Sequence, residues 1–175
     1  FSAVSSNAMN KDIQQRKFRG HLALDDIDIQ RHDPLGGEQA ACKGHCNLDG
    51  DLCGWTNGED RQDDDFDWSF GRSSDNLFTG PARDYTSSLN NELTGSFLFV
   101  DSGYPRRPGD RALLMSPMFQ PTAVNDALCI KFAVHMFGGG IGSLAIKIRY
   151  ADDTASNGQA TGPESGVGSI SSGQT

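Results

Sequence analysis

A chain of 175 residues has room for one domain, or for one domain with a fragment of another. An apolar share of 36% and 21 glycines favour a modest β-rich core over a large helical one. The net charge of −8 argues against nucleic acid as a partner, because its phosphates would be repelled; it fits cation binding and, as readily, ordinary solubility.

In chain order, Leu22 and Leu24 followed by a shift to Ile27 and Ile29 predict a short strand over residues 20–29 that ends in an acidic kink. Residues 30–41 hold Pro34, Gly36 and Gly37 among polar residues and read as a linker. Cys46 and Cys53 then enclose Leu48 and an acidic turn, and Trp55 follows at once. A cysteine pair this close can clip a tight loop, worth roughly 2.5 kcal/mol in the chain-entropy picture. Short strands are predicted over residues 97–100 and 112–115, the second closed by Pro117. Leu128, Ile130, Phe132, Val134 and Met136 alternate with Cys129, Lys131, Ala133 and His135, the period of a half-buried strand. Glycines 138 to 140 turn the chain, and Leu144, Ile146, Ile148 and Tyr150 alternate again, so the two runs read as a β-hairpin. No helix is predicted. Residues 151–175 are too poor in large apolar side chains to offset their ordering entropy and are predicted to be disordered.

Four cysteines in a short chain suit an oxidising compartment. Cys42, His45, Cys46 and Cys53 invite a zinc reading, but they offer neither a Cys-x-x-Cys pair nor a second clustered pair. No apolar run has the length of a bilayer span. With no leader pattern and Phe1 at its start, the chain is expected to be a piece of a larger protein, with any signal sequence or anchor outside it. Catalytic signatures are missing: there is no Gly-x-Ser-x-Gly elbow and no His-Glu-x-x-His, and the glycines at 138–140 lack a Gly-Lys-Ser/Thr ending. His135 falls opposite the apolar face of its strand and reads as a surface or satisfied structural histidine. Trp55, Phe66 and Trp68 suit a sugar-stacking platform or a core of buried aromatics. Tyr104, Arg106 and Arg107 sit in a Pro/Gly-bounded loop and combine the residue types that anchor protein interfaces; the plainer reading is a strand connection.

Five blocks in order carry a resemblance. They are Cys46-Asn-Leu-Asp-Gly-Asp-Leu-Cys53-Gly-Trp55, Asp64-Asp-Phe-Asp-Trp68, Thr79-Gly-Pro-Ala-Arg-Asp84-Tyr-Thr86, Gly95-Ser-Phe-Leu-Phe-Val-Asp101 and His135-Met-Phe-Gly-Gly-Gly-Ile-Gly-Ser-Leu144. Together the set resembles the MAM domain, the extracellular adhesion module named for meprins, neuropilins and mu-type receptor tyrosine phosphatases. The segment ending in Leu24-Asp-Asp-Ile27 resembles such a domain's closing strand. The resemblance divides the chain into 1–42, the tail of a preceding MAM-like domain plus linker; 43–150, a MAM-like sandwich lacking its last strands; and 151–175, the disordered tail.

The resemblance implies an all-β jelly-roll sandwich, incomplete here, and a non-catalytic, extracellular role in protein–protein interaction or cell adhesion within a larger multidomain protein. Proteins, including the same domain on another chain, are the implied partners; nucleic acid is not, and a membrane is reached only through a missing anchor. A lectin-like module and an accessory domain of a protease are the alternatives. By family pattern Cys46 pairs with Cys53, Cys129 with a closing cysteine downstream, and Cys42 with one upstream; neither outer partner is present. One resolution places residues 20–29 in the empty closing-strand position and lets Cys42 reach Cys129. The resemblance also implies a calcium-like cation held by acidic residues. Asp49, Asp84 and Asp26 are the candidates, and a hard cation asks for about six to eight converging oxygens. The competing reading makes them turn-forming loop acids.

Overall fold

Four inward positions on one strand organise the molecule. Leu22, Leu24, Ile27 and Ile29 are all buried, and they lie on β2 (Gly20–His32), the longest element. The computed structural model describes residues 1–4, 20–32, 44–58, 64–74, 78–90, 95–103, 105–120, 127–149 and 167–171. Besides β2 these contain β1 (Ser2–Val4), β3 (Thr56–Asn57), β4 (Ser69–Gly71), α1 (Tyr85–Asn90), β5 (Phe97–Asp101), β6 (Arg111–Met115), β7 (Ala127–Gly138), β8 (Ser143–Lys147) and β9 (Val167–Ser171). The strands form two antiparallel sheets, ordered β3-β6-β1-β8-β9 and β4-β5-β2-β7. Between them lies one core, built from the inward side of β2, Leu98 and Val100 of β5, Ala3, Ala112, Leu114 and Leu144 from the other sheet, and the rings of Trp55, Phe66 and Trp68. This is an all-β sandwich.

The acidic kink is a β-bulge inside β2, and the strand continues through it. Asp25 faces Ala133 and Asp28 faces Lys131, so the two residues between them oppose one. Asp26 takes up the difference with φ of 46°. The extra residue returns Ile27 and Ile29 to the face already used by Leu22 and Leu24. Strict alternation would have turned Ile27 outward.

β1 and β2 come from the segment assigned on sequence to a preceding domain, yet both are interior strands. β1 lies between β6 and β8, and β2 lies between β5 and β7. Phe1 extends the β1 pairing by exchanging backbone hydrogen bonds with Leu114 at 2.7 and 2.8 Å, and its ring packs on Trp55 and Phe132. At the far end of β2, Gln30 stands opposite Cys129 across the ladder. Cys129 is a free, exposed cysteine; Cys42 lies outside the described residues.

Three expectations are corrected. β7 and β8 do not form a hairpin, because they belong to different sheets and residues 139–142 carry the chain across the core between them. Both runs alternate because each presents an apolar side to the same core: Leu128, Ile130, Phe132 and Met136 from β7, Leu144 and Ile146 from β8. The alternation reports a buried face and says nothing of which strand lies alongside. The crossing passes so close to the start of β2 that a Cβ on Gly20 would stand 2.1 Å from the Ile141 nitrogen. A six-residue helix, α1, occurs where none was predicted. Within the stretch predicted to be disordered, β9 pairs with β8 from Lys147↔Val167 to Ser143↔Ser171. Pairing at a sheet edge draws on backbone groups, which apolar composition does not report.

Candidate functional site

Among the described residues, a cluster of polar contacts lies where segment 78–90 covers the outer face of the β4-β5-β2-β7 sheet. Asp84 opens α1 as its N-cap: Ser87 N–H donates to Asp84 Oδ2 at 2.9 Å, and the Asp84 carbonyl accepts from Ser88 N–H at 3.1 Å. Its carboxyl group rests on Gly95, where a Cβ would come within 2.2 Å of it. Tyr85 N–H donates to Asp25 Oδ2 at 2.7 Å, and Asp26 N–H to Asp25 Oδ1 at 2.9 Å. Thr86 Oγ1 donates to Asp26 Oδ2. Further along, His135 Nε2–H is directed at the Thr79 carbonyl oxygen, 2.9 Å away. Segment and sheet are thus joined by polar contacts from both β2 and β7.

Burial changes the acid–base character of this face. The pKa of Asp25 is raised to about 7 from 3.8, first because burial penalises its charge; the Asp26 and Asp84 charges add to the rise, and the amides of Tyr85 and Asp26 oppose it. His21 is 3% exposed and stacks on Phe99 with ring centroids 4.9 Å apart. Among the described residues neither of its ring nitrogens has a hydrogen-bond partner, nor does Thr79 Oγ1. Burial lowers the His21 pKa, with Asp101 opposing and His135 reinforcing. A cleft of about 200 Å³ runs between segment and sheet, lined by Ala23, Asp25, Arg83, Tyr85, Phe97 and His135 among others.

The carboxylates proposed for a cation are engaged elsewhere. Asp49 accepts from Ser96 N–H at 2.8 Å through one oxygen and from Asn47 Nδ2 at 2.7 Å through the other. Asp84 caps its helix and Asp26 holds Thr86. Among the described residues no group of three or more His, Cys, Asp or Glu side chains is placed to hold a metal ion. As arranged, the set does not present the converging oxygens that calcium requires.

The clip is formed. Cys46 and Cys53 are disulfide-bonded with Cα atoms 5.6 Å apart, which removes the thiolates that zinc would need. Leu48 is fully buried within the loop at φ of 56°, its carbonyl oxygen accepting from Ser96 Oγ at 2.7 Å. Cys46 exchanges 2.8 Å backbone hydrogen bonds with Ile27, so the clip is bolted to β2 directly after the bulge. Trp55, Phe66 and Trp68 are core residues, and Trp55 Nε1–H donates to the Gly44 carbonyl at 2.8 Å. In the expected contact loop the Arg106 guanidinium lies 4.0 Å from the Phe66 ring centroid, a cation–π contact that lids the core. Arg107 is exposed, its N–H bound to Asp110 Oδ2; Tyr104 lies outside the described residues.

Sequence reasoning missed His21, Thr79, Tyr85 and Phe97. Period two from Leu22 and Leu24 already places His21 on the outer face. Its burial comes from a segment more than fifty residues away in sequence, which no local pattern reports.

With this geometry in view, residues 46–166 match the MAM domain, meprin/A5/mu. The chain belongs to the MAM family. β1 and β2 precede the matched stretch, although both lie inside the sheets of this MAM sandwich, a jelly-roll architecture. Relatives include MAM domain-containing glycosylphosphatidylinositol anchor protein 1 of Homo sapiens, 33% identical over 56% of this chain and 10% of its own length. Anchor protein 2 of Mus musculus is 31% identical over 63% of this chain and 12% of its length. MAM domain-containing protein 2 of Mus musculus is 27% identical over 77% and 18%. The chain therefore spans about a tenth of the length of the anchor proteins it matches. No solved structure matches it significantly. As a MAM domain with a formed disulfide, the chain is extracellular. No helix among the described residues is long and apolar enough to cross a membrane.

Proposed function

We propose that this MAM domain is a non-catalytic protein–protein interaction module serving adhesion within a larger multidomain protein, held at a membrane by an anchor outside the chain. Family membership carries the reading, and the relatives named as anchor proteins support the attachment. The partner is a protein, including the same domain on another chain. Contact falls to exposed side chains held on ordered backbone: Phe78, Tyr85 and Leu89 of the covering segment, and Arg107 of the loop that joins β5 to β6. Clip and bulge hold these surfaces in place and perform no chemistry. A sugar platform built on Trp55, Phe66 and Trp68 finds little support, since all three rings are buried.

Binding of the tagged domain to cultured cells tests this. Mild protease treatment of the cells is expected to abolish binding, while glycosidase treatment leaves it intact. Leu89→Asp together with Arg107→Glu is expected to weaken binding about tenfold or more, as interface anchors do when lost. Binding that survives protease and is lost to glycosidase would establish the lectin reading instead.

A further inference from the structure

β1 and β2 come before every other element in the chain, yet each fills the middle of a sheet. Without them both sheets split, and β5, β6, β7 and β8 each lose a partner along one edge. The rest of the chain is in this sense a receptor with two slots. One slot takes Leu22, Leu24, Ile27 and Ile29 against the core, while its outer side offers the Tyr85 amide to Asp25. The other slot takes Ala3 and the Phe1 ring. Unpaired edges of this kind capture an extended segment through backbone hydrogen bonds, and the side-chain pockets select its sequence.

The donor is joined to the receptor through residues 33–43, which include Pro34, Gly36 and Gly37. Fully extended, a segment of that length reaches roughly 36–40 Å. That is about the diameter expected of a domain this size.

We infer that the β1–β2 segment is an exchangeable donor, and that two copies of this chain form a swapped dimer in which each segment fills the slots of the other. Every strand pairing of the closed chain is kept in the dimer, including Ile27 with Cys46; only the path through 33–43 differs. Concentration therefore decides between the two forms. A donor tethered by a linker of this length sees its own slots at an effective concentration on the order of millimolar. Exchange becomes competitive as chains approach that concentration. This holds whether or not the domain also binds other proteins.

The Gln30↔Cys129 register supplies the test. The 175-residue chain carrying Gln30→Cys and Cys42→Ser is made with ¹⁴N and with ¹⁵N, mixed equally, unfolded with reductant and refolded in a glutathione buffer. Refolding is done at about 10 µM and at about 1 mM, bracketing the crossover. Bridged peptides are then mapped without reduction. The share of residue-30 to residue-129 bridges with mixed isotope content is expected to rise about tenfold or more between the two concentrations. Bridges of unmixed content at both concentrations would overturn the proposal, and so would dimers joined only through two Cys129 thiols. If the first variant folds poorly, Asp28→Cys with Lys131→Cys, in a Cys42→Ser and Cys129→Ser background, reads the same ladder two residues along.

Discussion

Ahead of its bulge, the two faces of β2 are both buried and are held by different physics. Inward, Leu22, Leu24, Ile27 and Ile29 pack into the apolar core. Burying such side chains contributes roughly 1.5–3 kcal/mol each, independent of pH. Outward, His21, Ala23 and Asp25 are just as inaccessible, but their cover is segment 78–90, tied down by carboxylate and carbonyl acceptors. Burial on this side places two ionisable groups away from their ordinary pKa values, in opposite directions. One strand thus carries a pH-indifferent face and a pH-sensitive one.

The largest expected effect comes from the inward face. Leu24→Ala should destabilise the fold by about 2–5 kcal/mol, and by the same amount at pH 5 and pH 8. Denaturant unfolding at both pH values checks this, and a cost that changed with pH would break the contrast.

Asp25 should show the opposite behaviour. Its folded-state pKa is about 7 against 3.8, so the folded state holds the proton more tightly than the unfolded state does. Its contribution is therefore fully present below about pH 4 and is lost as pH rises through 7. A tenfold difference in proton affinity is worth roughly 1.4 kcal/mol, so the swing amounts to a few kcal/mol. His21 acts in reverse: its pKa is lowered, and its contribution, present above its ordinary 6.5, is lost as pH falls. Asp25→Asn should remove the downward trend in stability between pH 4 and 7 and leave the opposite trend that His21 and the Phe1 amino group share. An unchanged stability–pH profile in the variant would mean that Asp25 is not the group that titrates there.

Asp84→Ala removes the N-cap of α1 and should cost about 1 kcal/mol, with its effect on hydrogen exchange concentrated in 85–90 and spreading little to the core strands. The smallest expected effect is that of calcium. Since Asp49, Asp84 and Asp26 are already engaged, calcium at a few millimolar should leave Tm unchanged within about a degree. A rise of several degrees would mean that these carboxylates regroup around the ion, by the stabilisation that any native-state ligand confers.

The inward face was the legible one. The shift from Leu22 and Leu24 to Ile27 and Ile29 recorded the bulge, and the spacing of Cys46 and Cys53 recorded the clip. Period two along 128–136 marked a side facing the core. What escaped was long-range pairing. β7 pairs with β2, and β8 pairs with β1 as well as β9; β1 and β2 come from the opposite end of the chain, while the glycines at 138–140 suggested the nearer answer. α1 was hidden because six residues of Tyr, Thr, Ser, Leu and Asn show no helical periodicity; its one local signal is the capping Asp84. Arg106 looked like a contact residue because its ring partner, Phe66, lies forty positions away. The outward face followed from none of this, since a covering segment can be recognised only once the sheet beneath it is assembled.

That β2 fills the slot between β5 and β7 of this MAM sandwich is most directly tested by native-state hydrogen exchange. Amides of β2 that bond to β5 and β7 should exchange with the same protection as those of β5 itself, opening only with the whole core. Exchange of β2 at free-chain rates, with β5 and β7 still protected, would mean that the strand does not occupy the slot between them.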